Sequence, residues 1–518
     1  MEKKIVLLIF LWLFICFPLF GERFIPTHDG EYHIIRIHEF SKMLKEGHIF
    51  PRWAPGLNSG YGFPLFIFHY PFPNYIGSFF HLLGFSLPRS FQMSLALGVF
   101  VGMIGCYVFL KKEFKHRFSA FFGTILFLTV PYLYVDIYIR GSIGEIWAIA
   151  WMFVSFTALV WQRNVLLGIS IGCLILSHNI LAMIFLPLIG AYSFLYYRRQ
   201  LLYIIAGVFV SSYFWIPAIF ERQYVIGLNS VTYKDHFPEL AQLLIPSWGS
   251  NFSQPGMAQG EMSQQIGIIP LGIISLSVIA VIKNKKRNSR ENFFLFVTLF
   301  GLFFMLPVSD VFWEMMPFLQ YIQYPWRILS LLLLTVPSLG AIVVARIHTY
   351  LMTAIIVFAC ILVFSYMKPV TYEPRDDAYY LSRKEFTDGT SSLGNSFSTI
   401  WTPWIKERSS EVVSGSGLIS SIKTTSTSVS FVVSTQQNTK VRIHRTYYPG
   451  WQVWINDREI PIDFSEGVLD IEIPKGTHQV FAVFTETTTR QVANAISVIA
   501  LCSLVALSIL NRHYARSN

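Results

Sequence analysis

Residues 63–84 read Phe63-Pro-Leu-Phe-Ile-Phe-His-Tyr-Pro-Phe-Pro-Asn-Tyr-Ile-Gly-Ser-Phe-Phe-His-Leu-Leu-Gly84. The stretch is apolar and long enough to cross a bilayer, yet Pro64, His69, Pro71, Pro73, Asn74 and His81 interrupt it. Whether it spans sets the sidedness of everything that follows. If it lies in the outer interface, Lys111, Lys112, Lys115 and Arg117 face the cytoplasm. So do Arg163, Arg198 and Arg199, the run Lys283, Lys285, Lys286, Arg287 and Arg290, and the tail residues Arg512 and Arg516. If it spans, nearly all of these clusters face outward, against the bias of cytoplasmic loops toward Lys and Arg. The non-spanning reading therefore orders the chain, with both termini cytoplasmic.

Apolar runs fall at about 4–20, 91–110, 118–135, 145–161, 164–178, 180–197, 201–219, 264–282, 293–308, 326–345, 349–366 and 491–510. They predict a polytopic α-helical membrane protein of about twelve transmembrane helices. Composition agrees: of 518 residues 53% are hydrophobic and 14% charged, where a soluble chain is about one-quarter charged. Secreted, disordered and nucleic-acid-binding classes are excluded, because the net charge of +10 sits in short clusters between apolar runs. Cys16, Cys106, Cys173, Cys360 and Cys502 all lie in such runs without a CxxC, so they read as buried thiols rather than disulfides or zinc ligands. The run Ile5–Phe20 is followed by Gly21-Glu-Arg23 with no small-x-small cleavage site, the pattern of an uncleaved first span.

This topology gathers the loops 21–90, 136–144, 220–263 and 309–326 and the segment 367–490 on the extracytoplasmic face, joined there by the turn at His178. Ile34, Ile35, Ile37, Phe40 and Leu44 recur at helical spacing, predicting an amphipathic surface helix over 31–46. A Gly/Pro-rich turn series follows over 50–64, and then a second interfacial helix in 63–84. Strand patterns at 420–433, 441–444, 452–455, 468–473 and 479–484, separated by Pro449-Gly450, Asn456-Asp457 and Pro474-Lys-Gly476, predict a small β-sandwich. The expected division is 1–366 transmembrane module, 367–490 extracytoplasmic β-rich domain, and 491–518 last span with its tail.

Four segments put ionisable or polar groups at this outer depth, where charge is costly and defaults to function. His28-Asp29-Gly-Glu-Tyr-His33 offers an acid beside two histidines: a general base with its partners, a metal ligand set, or a solvated loop. Asp136 to Glu145 contains Arg140-Gly-Ser-Ile-Gly-Glu145, which suits either a snorkelling pair or an anion grip with a carboxylate beside it. His178-Asn179 forms a tight polar turn. Gln323-Tyr-Pro-Trp-Arg327 places an arginine, which can hold phosphate bidentately, at the mouth of a span, or serves as an aromatic-belt anchor.

Together these motifs resemble the GT-C glycosyltransferases: an acid after the first span, an interfacial helix ending in a Pro-Arg-Trp turn, and a second interfacial helix. Asp29-Gly-x-Tyr-His33, Phe50-Pro-Arg-Trp53, Gly60-Tyr-Gly-x-Pro64, Tyr70-Pro71, Arg140-Gly-Ser-x-Gly-Glu145, Ser177-His178-Asn179 and Gln323-Tyr-Pro-Trp-Arg327 more specifically resemble a membrane family labelled 6-pyruvoyl-tetrahydropterin-synthase-related. Tyr447-Tyr-Pro-Gly-Trp451 and Gly476-x-His478, ahead of a last span, are similar to YfhO-like membrane proteins. A pterin synthase is itself a small soluble zinc enzyme, and its ligand pattern is not in this chain. The resemblance implies a GT-C-like fold. It also implies transfer of a sugar from a polyprenyl-phosphate-linked donor to a glycan, lipid or protein acceptor at the outer leaflet of the plasma membrane. It casts Asp29 as base, with His33 and Glu145 as its catalytic partners and a divalent cation at Asp29 left open. Arg140 and Arg327 would take the donor phosphate, and His28, Trp53, Tyr61, His178, Asn179, Gln323 and Trp326 the substrates, with Trp248 as a further stacking surface. No DxD pair is present, which suits a monophosphate donor. A lipid-linked-saccharide transporter or flippase, and a non-catalytic assembly protein, are the alternatives.

Overall fold

The computed structural model describes residues 3–517 apart from 228–231, 255, 257–258, 284–287, 345–348, 403–404 and 406, with backbone alone at 349, 360, 393, 508 and 510–517. Lys285, Lys286 and Arg287 and the side chains of Cys360, Arg512 and Arg516 thus lie outside the described residues. Apolar sequence without charge satisfies its own backbone only as helix in lipid, and helix dominates to residue 366. After α1 (Lys3–Ile15) the first loop folds into α2 (Gly30–Lys45), α3 (Leu65–Phe68) and α4 (Phe72–Leu82). The 63–84 stretch is therefore not one span. Proline fixes φ and withholds an N–H, and around Pro71 the helix breaks into pieces of 4 and 11 residues, too short to cross. α4 instead lies along α2: Gly77 seats the Ile37 side chain and Ser41 donates to Ser78 (3.0 Å). The surface helix expected over 31–46 is α2, displaced by one residue.

From α5 (Leu87–Glu113) the chain runs up and down. α6 (Arg117–Phe127) and α7 (Pro131–Tyr134) form one element bent by 55°, which widens into a π-helical turn over Val135–Arg140. α8 (Ile143–Val160), α9 (Asn164–Ser177) and α10 (Asn179–Tyr196) follow, then α11 (Leu201–Val210) and α12 (Ser212–Phe220), meeting at 61°. Short α13 (Leu240–Leu244) sits in the next loop. α14 (Ile268–Lys283) and α15 (Ser289–Met305) lead to α16 (Asp310–Met315), turned by 89°, and α17 (Pro317–Gln320). A 3₁₀ turn, Pro325–Leu331, opens α18 (Leu332–Val343), and α19 (Thr349–Tyr366) completes this part. Among the described residues 5 helices are long and apolar enough to cross a membrane, or up to 8 if each bent pair is one span, while α9, α14 and α19 are apolar but shorter. The twelve expected spans stand against these 5 to 8 candidates among the described residues, and Pro131 and Pro307 stand at two of the three bends.

The up-and-down order is visible in what the helix ends touch. At one end Glu113 (α5) accepts from Tyr192 (α10) and Tyr197, each at 2.6 Å, and pairs with Arg290 (α15). At the other, Arg140, Glu145, His178 and Arg327 meet. The residues sorted by the charge ledger to opposite faces therefore cluster at opposite ends of the helices.

Residues 367–402, expected to belong with the β-rich domain, form a strap over the first loop, with α20 (Asp377–Leu381) and α21 (Lys384–Thr387). Phe24 and Glu373 exchange backbone hydrogen bonds, and Asp377 accepts from the Leu87 N–H (2.6 Å). That carboxylate caps the orphan donors at the start of α5. We expect Asp377→Ala to cost about 1 kcal/mol, seen as a lowered melting temperature.

The strands begin at Val413. β1 (Val413–Gly415), β4 (Thr439–Thr446) and β7 (Val468–Ile473) form one sheet, ordered β1-β4-β7. β2 (Leu418–Thr424), β3 (Ser428–Thr435), β5 (Trp451–Ile455), β6 (Arg458–Ile460) and β8 (Gly476–Phe484) form the other, ordered β2-β3-β8-β5-β6. All described pairings are antiparallel. Alternate residues such as Val429, Phe431 and Val433, and Val441 and Ile443, point between the sheets and make a sandwich core. The expected strand at 420–433 is a hairpin: Thr425 to Thr427 turn the chain, and Val429 pairs back onto Thr424. Tyr448 donates to Glu221 at the end of α12 (2.9 Å). Fully buried Arg490 of α22 (Thr488–Ser517) grips the same carboxylate (2.9 Å) and donates to the Pro449 carbonyl (2.7 Å). The Tyr447–Trp451 motif is thus the clasp between sandwich and helices.

Candidate functional site

Tyr132, Asp136 and Arg140 are spaced by four, and the helical path puts them on one side of a buried corner. Gly141 ends the turn at φ +63°, the left-handed region that costs an L side chain about 1–2 kcal/mol, and a Cβ there would lie 2.1 Å from Thr27 Oγ1. A Cβ on Gly144 would strike the Tyr70 ring at 2.5 Å. Both glycines of the 140–145 motif thus let the first loop press against it. The His28 N–H donates to the Ile139 carbonyl (2.9 Å) and the Asp29 N–H to the Arg140 carbonyl (2.8 Å). We expect Gly141→Ala to destabilise the protein by about 2 kcal/mol, read as a lowered melting temperature.

Glu145 is fully buried and is the hub. Arg140 reaches Oε1 at 2.7 Å and Arg327 at 3.1 Å, while the Tyr132 hydroxyl donates to Oε2 at 2.5 Å. Arg140 also pairs with Asp136 at 2.6 Å. His178 accepts from the Leu181 N–H through Nδ1 (3.2 Å), leaving Nε2 to face Glu145 at 3.9 Å. The Trp326 ring lies against both guanidiniums, 4.9 Å from Arg140 and 5.9 Å from Arg327, and Tyr324 stacks on Arg327 at 4.7 Å. Gln323 accepts from Arg327 Nη1 (2.8 Å), as does the Ile322 carbonyl (3.0 Å). Among the described residues Arg140 Nε and Arg327 Nη2 have no hydrogen-bond partner. Two aromatic-backed cations therefore keep donors in reserve.

Asp29, at the start of α2, is half-buried, and among the described residues no side-chain hydrogen bond or ion pair engages its carboxylate. His28 is turned away from it: its Nε2 meets the Ser250 carbonyl (2.7 Å) and its ring packs on Phe252 (4.1 Å). His33 is buried one turn on, stacked at 6.0 Å on Phe91, with Nδ1 lacking a partner. Arg36 donates to His69 Nε2 (2.7 Å), and Tyr70 bridges the rings of His69 (4.1 Å) and His178 (5.0 Å).

Burial, with nearby guanidinium charge adding to it, holds His33 and His69 well below the ordinary histidine range. The unfolded chain takes up protons on these rings below about pH 6.5 and the folded chain does not. Their contribution is therefore complete above that pH and is lost as pH falls. The melting temperature should drop between pH 7 and 5, with each ring contributing up to about 2 kcal/mol over that interval.

Other expected site residues lie elsewhere. Trp53 is fully buried against Trp451 (5.6 Å) and Phe484 (4.9 Å), and the Tyr61 hydroxyl bonds His444 (2.7 Å). Both are contacts to the sandwich, where large aromatics find more surface to bury. Asn179 is exposed at the first turn of α10, and Trp248 packs against the Tyr366 ring (5.3 Å). Sequence reading missed Tyr132 as a ligand of Glu145 and the Arg36–His69 pair. The four-residue spacing of Tyr132, Asp136 and Arg140 could have revealed the first; no local pattern links Arg36 to His69. Among the described residues no three His, Cys, Asp or Glu side chains are grouped to hold a metal ion, and the carboxylates nearest Arg140 are committed to it. This donor set does not fit a resident divalent cation at Asp29.

Residues 66–370 match the family described as 6-pyruvoyl-tetrahydropterin synthase related domain, a membrane protein. A stretch of 200 residues is 24% identical to an uncharacterized protein of Lactococcus lactis subsp. cremoris (strain MG1363). It covers 36% of this chain and 32% of that one, so the matched part spans about a third of the relative. Among solved structures, ArnT from Cupriavidus metallidurans bound to undecaprenyl phosphate is 15% identical at a TM-score of 0.41, over 69% of this chain and 63% of that chain. The mycobacterial arabinofuranosyltransferase AftD is 13% identical at 0.45, over 69% and 26%. The Archaeoglobus fulgidus oligosaccharyltransferase is 13% identical at 0.41, over 76% and 57%.

Proposed function

The chain belongs to the 6-pyruvoyl-tetrahydropterin synthase related membrane-protein family, and from that premise we propose that it is a GT-C-type glycosyltransferase using a polyprenyl-phosphate-linked sugar at the extracytoplasmic face. One observation carries the reading: Arg140 and Arg327 converge on a buried carboxylate, each with a donor to spare, and the Asp29 backbone N–H bonds to the Arg140 carbonyl. A lipid-linked donor diffuses within the leaflet, and a site at the ends of spanning helices reaches its headgroup without extracting the chain from the bilayer.

Asp29 accepts the proton of the acceptor hydroxyl as that oxygen bonds to the anomeric carbon. The bond from that carbon to the phosphate oxygen breaks, and the electron pair leaves with the polyprenyl phosphate. The leaving phosphate gains one negative charge, and the spare donors of Arg140 and Arg327 receive it in a site already oriented by Glu145, Tyr132 and Gln323. Glu145 is a positioning residue here: its oxygens are occupied by the arginines and Tyr132, so the base is assigned to Asp29. His178 fixes the turn beside them by accepting from the Leu181 N–H. The sandwich packs on the first loop through Trp53 and Tyr61.

The purified protein incubated with a panel of polyprenyl-phosphate sugars should consume at least one, with transfer to an added glycan, lipid or peptide acceptor. Failure to consume any donor across such a panel would remove the transferase reading.

A further inference from the structure

α15 begins where Arg290 pairs with Glu113, and its later part packs on the turn that carries Arg327, where a Cβ on Gly301 would lie 2.9 Å from Leu331 and 3.2 Å from Ile328. It therefore runs from one end of the helices to the other. α16 leaves it at 89°, a direction that lies along the surface of the bilayer α15 crosses. At 3.6 residues per turn, the side chains of α16 divide into three arcs. Trp313 faces the protein: it is fully buried, its ring stacks on Tyr233 (5.2 Å), and its Nε1 donates to the Phe304 carbonyl (3.1 Å). Asp310 and Glu314, four residues apart, form a polar arc. Lys234 pairs with both (3.3 and 2.5 Å), and the Tyr233 hydroxyl donates to Asp310 (3.0 Å). The third arc holds Val311, Phe312 and Met315, which are 60%, 41% and 72% exposed.

Val308 before α16 and Phe318 in α17 are exposed as well and extend this apolar arc. The arc is continuous with the outside of α15: Phe312 packs on Phe303 (5.7 Å), and exposed Phe300 and Phe296 carry the surface on along that helix. Just past α17, Tyr321 accepts from Arg222 (3.0 Å), whose guanidinium lies over its ring (5.5 Å), an aromatic and a cation of the kind that collects at headgroup level. An exposed apolar patch of this extent calls for a partner, and one that runs unbroken into the bilayer-facing side of a spanning helix matches lipid. We propose that α16 and α17 form a hook lying in the bilayer surface at the arginine end of the helices, with Val308, Val311, Phe312, Met315 and Phe318 among the upper acyl chains. The partner is the lipid surface itself, and the inference holds whether or not the chain transfers sugar. The chain running on from α17 supplies Gln323 and Arg327, so lipid that holds the hook also holds the approach to those side chains.

The test is photolabelling of the unmodified full chain in phosphatidylcholine vesicles that contain a trace of phosphatidylcholine with a diazirine in its acyl chain. A water-soluble diazirine is used in parallel, and the labelled residues are located by peptic digestion and fragment mass spectrometry. The segment 308–318 should take the acyl-chain label within about threefold of Phe296 and Phe300, and about tenfold above Leu418 and Phe481, exposed apolar residues of the sandwich. Val311, Phe312, Met315 and Phe318 should carry most of that label, and Asp310 and Glu314 little of it. Acyl-chain labelling of 308–318 no higher than that of Leu418 and Phe481 overturns the proposal. In that event, reaction with the water-soluble reagent would leave the hook in solvent, and protection from both reagents would give its apolar face to another protein surface.

Discussion

If the chain transfers sugar with Asp29 as the base, Asp29→Asn should lower transfer by about 10²–10⁴-fold, the range expected when a positioned general base is removed. The substitution keeps the shape of the side chain and the Asp29 N–H bond to the Arg140 carbonyl, so the first loop stays docked. Because no partner among the described residues holds the carboxylate, its charge contributes little to stability, and the melting temperature should stay within about a degree or two of wild type. The measurement is single-turnover donor consumption with acceptor present, beside thermal unfolding in the same detergent. A variant that transfers sugar at the wild-type rate would exclude Asp29 as the base. A variant that loses transfer by unfolding would show Asp29 to be structural.

Glu145→Ala produces the opposite pairing of effects. Removing the hub leaves Arg327 without a carboxylate and Arg140 with Asp136 alone, all of them buried. Breaking a buried ion pair from one side typically costs about 3–5 kcal/mol, because the remaining charge is neither solvated nor paired. We expect a marked fall in melting temperature and in yield, and loss of transfer in whatever folds. Glu145→Gln restores some of the hydrogen bonding without the charge and should recover part of the stability. If instead Glu145→Ala keeps its stability and loses only chemistry, the carboxylate does more than hold the arginines.

Much of this arrangement is legible in the sequence because membrane physics is blunt. Charge sorting alone settles that 63–84 does not cross, and Pro71 supplies the reason. The motifs around residues 29, 140, 178 and 327 meet because each sits where an apolar run ends at the same depth. What eluded sequence reading depends on side-chain competition. Trp53 and Tyr61 sit in Gly/Pro-rich turns like those that build sites, yet their partners Trp451 and His444 are nearly four hundred residues away, and nothing local announces them. The hairpin within 420–433 was hidden because Thr425, Ser426 and Thr427 carry the turn without glycine, proline or asparagine. The number of spans is the least legible quantity, since a bend at Thr129 or Ser211 does not alter hydropathy.

The strap that joins Phe24 to Glu373 and Leu87 to Asp377 imposes an order on biosynthesis. A ribosome adding about 5–20 residues each second completes the strap roughly twenty seconds to a minute after the loop it fastens has left the translation machinery. During that interval the early helices wait in the bilayer with their outer surface uncovered, so nascent chains released before residue 373 should be the ones that quality-control proteases clear first.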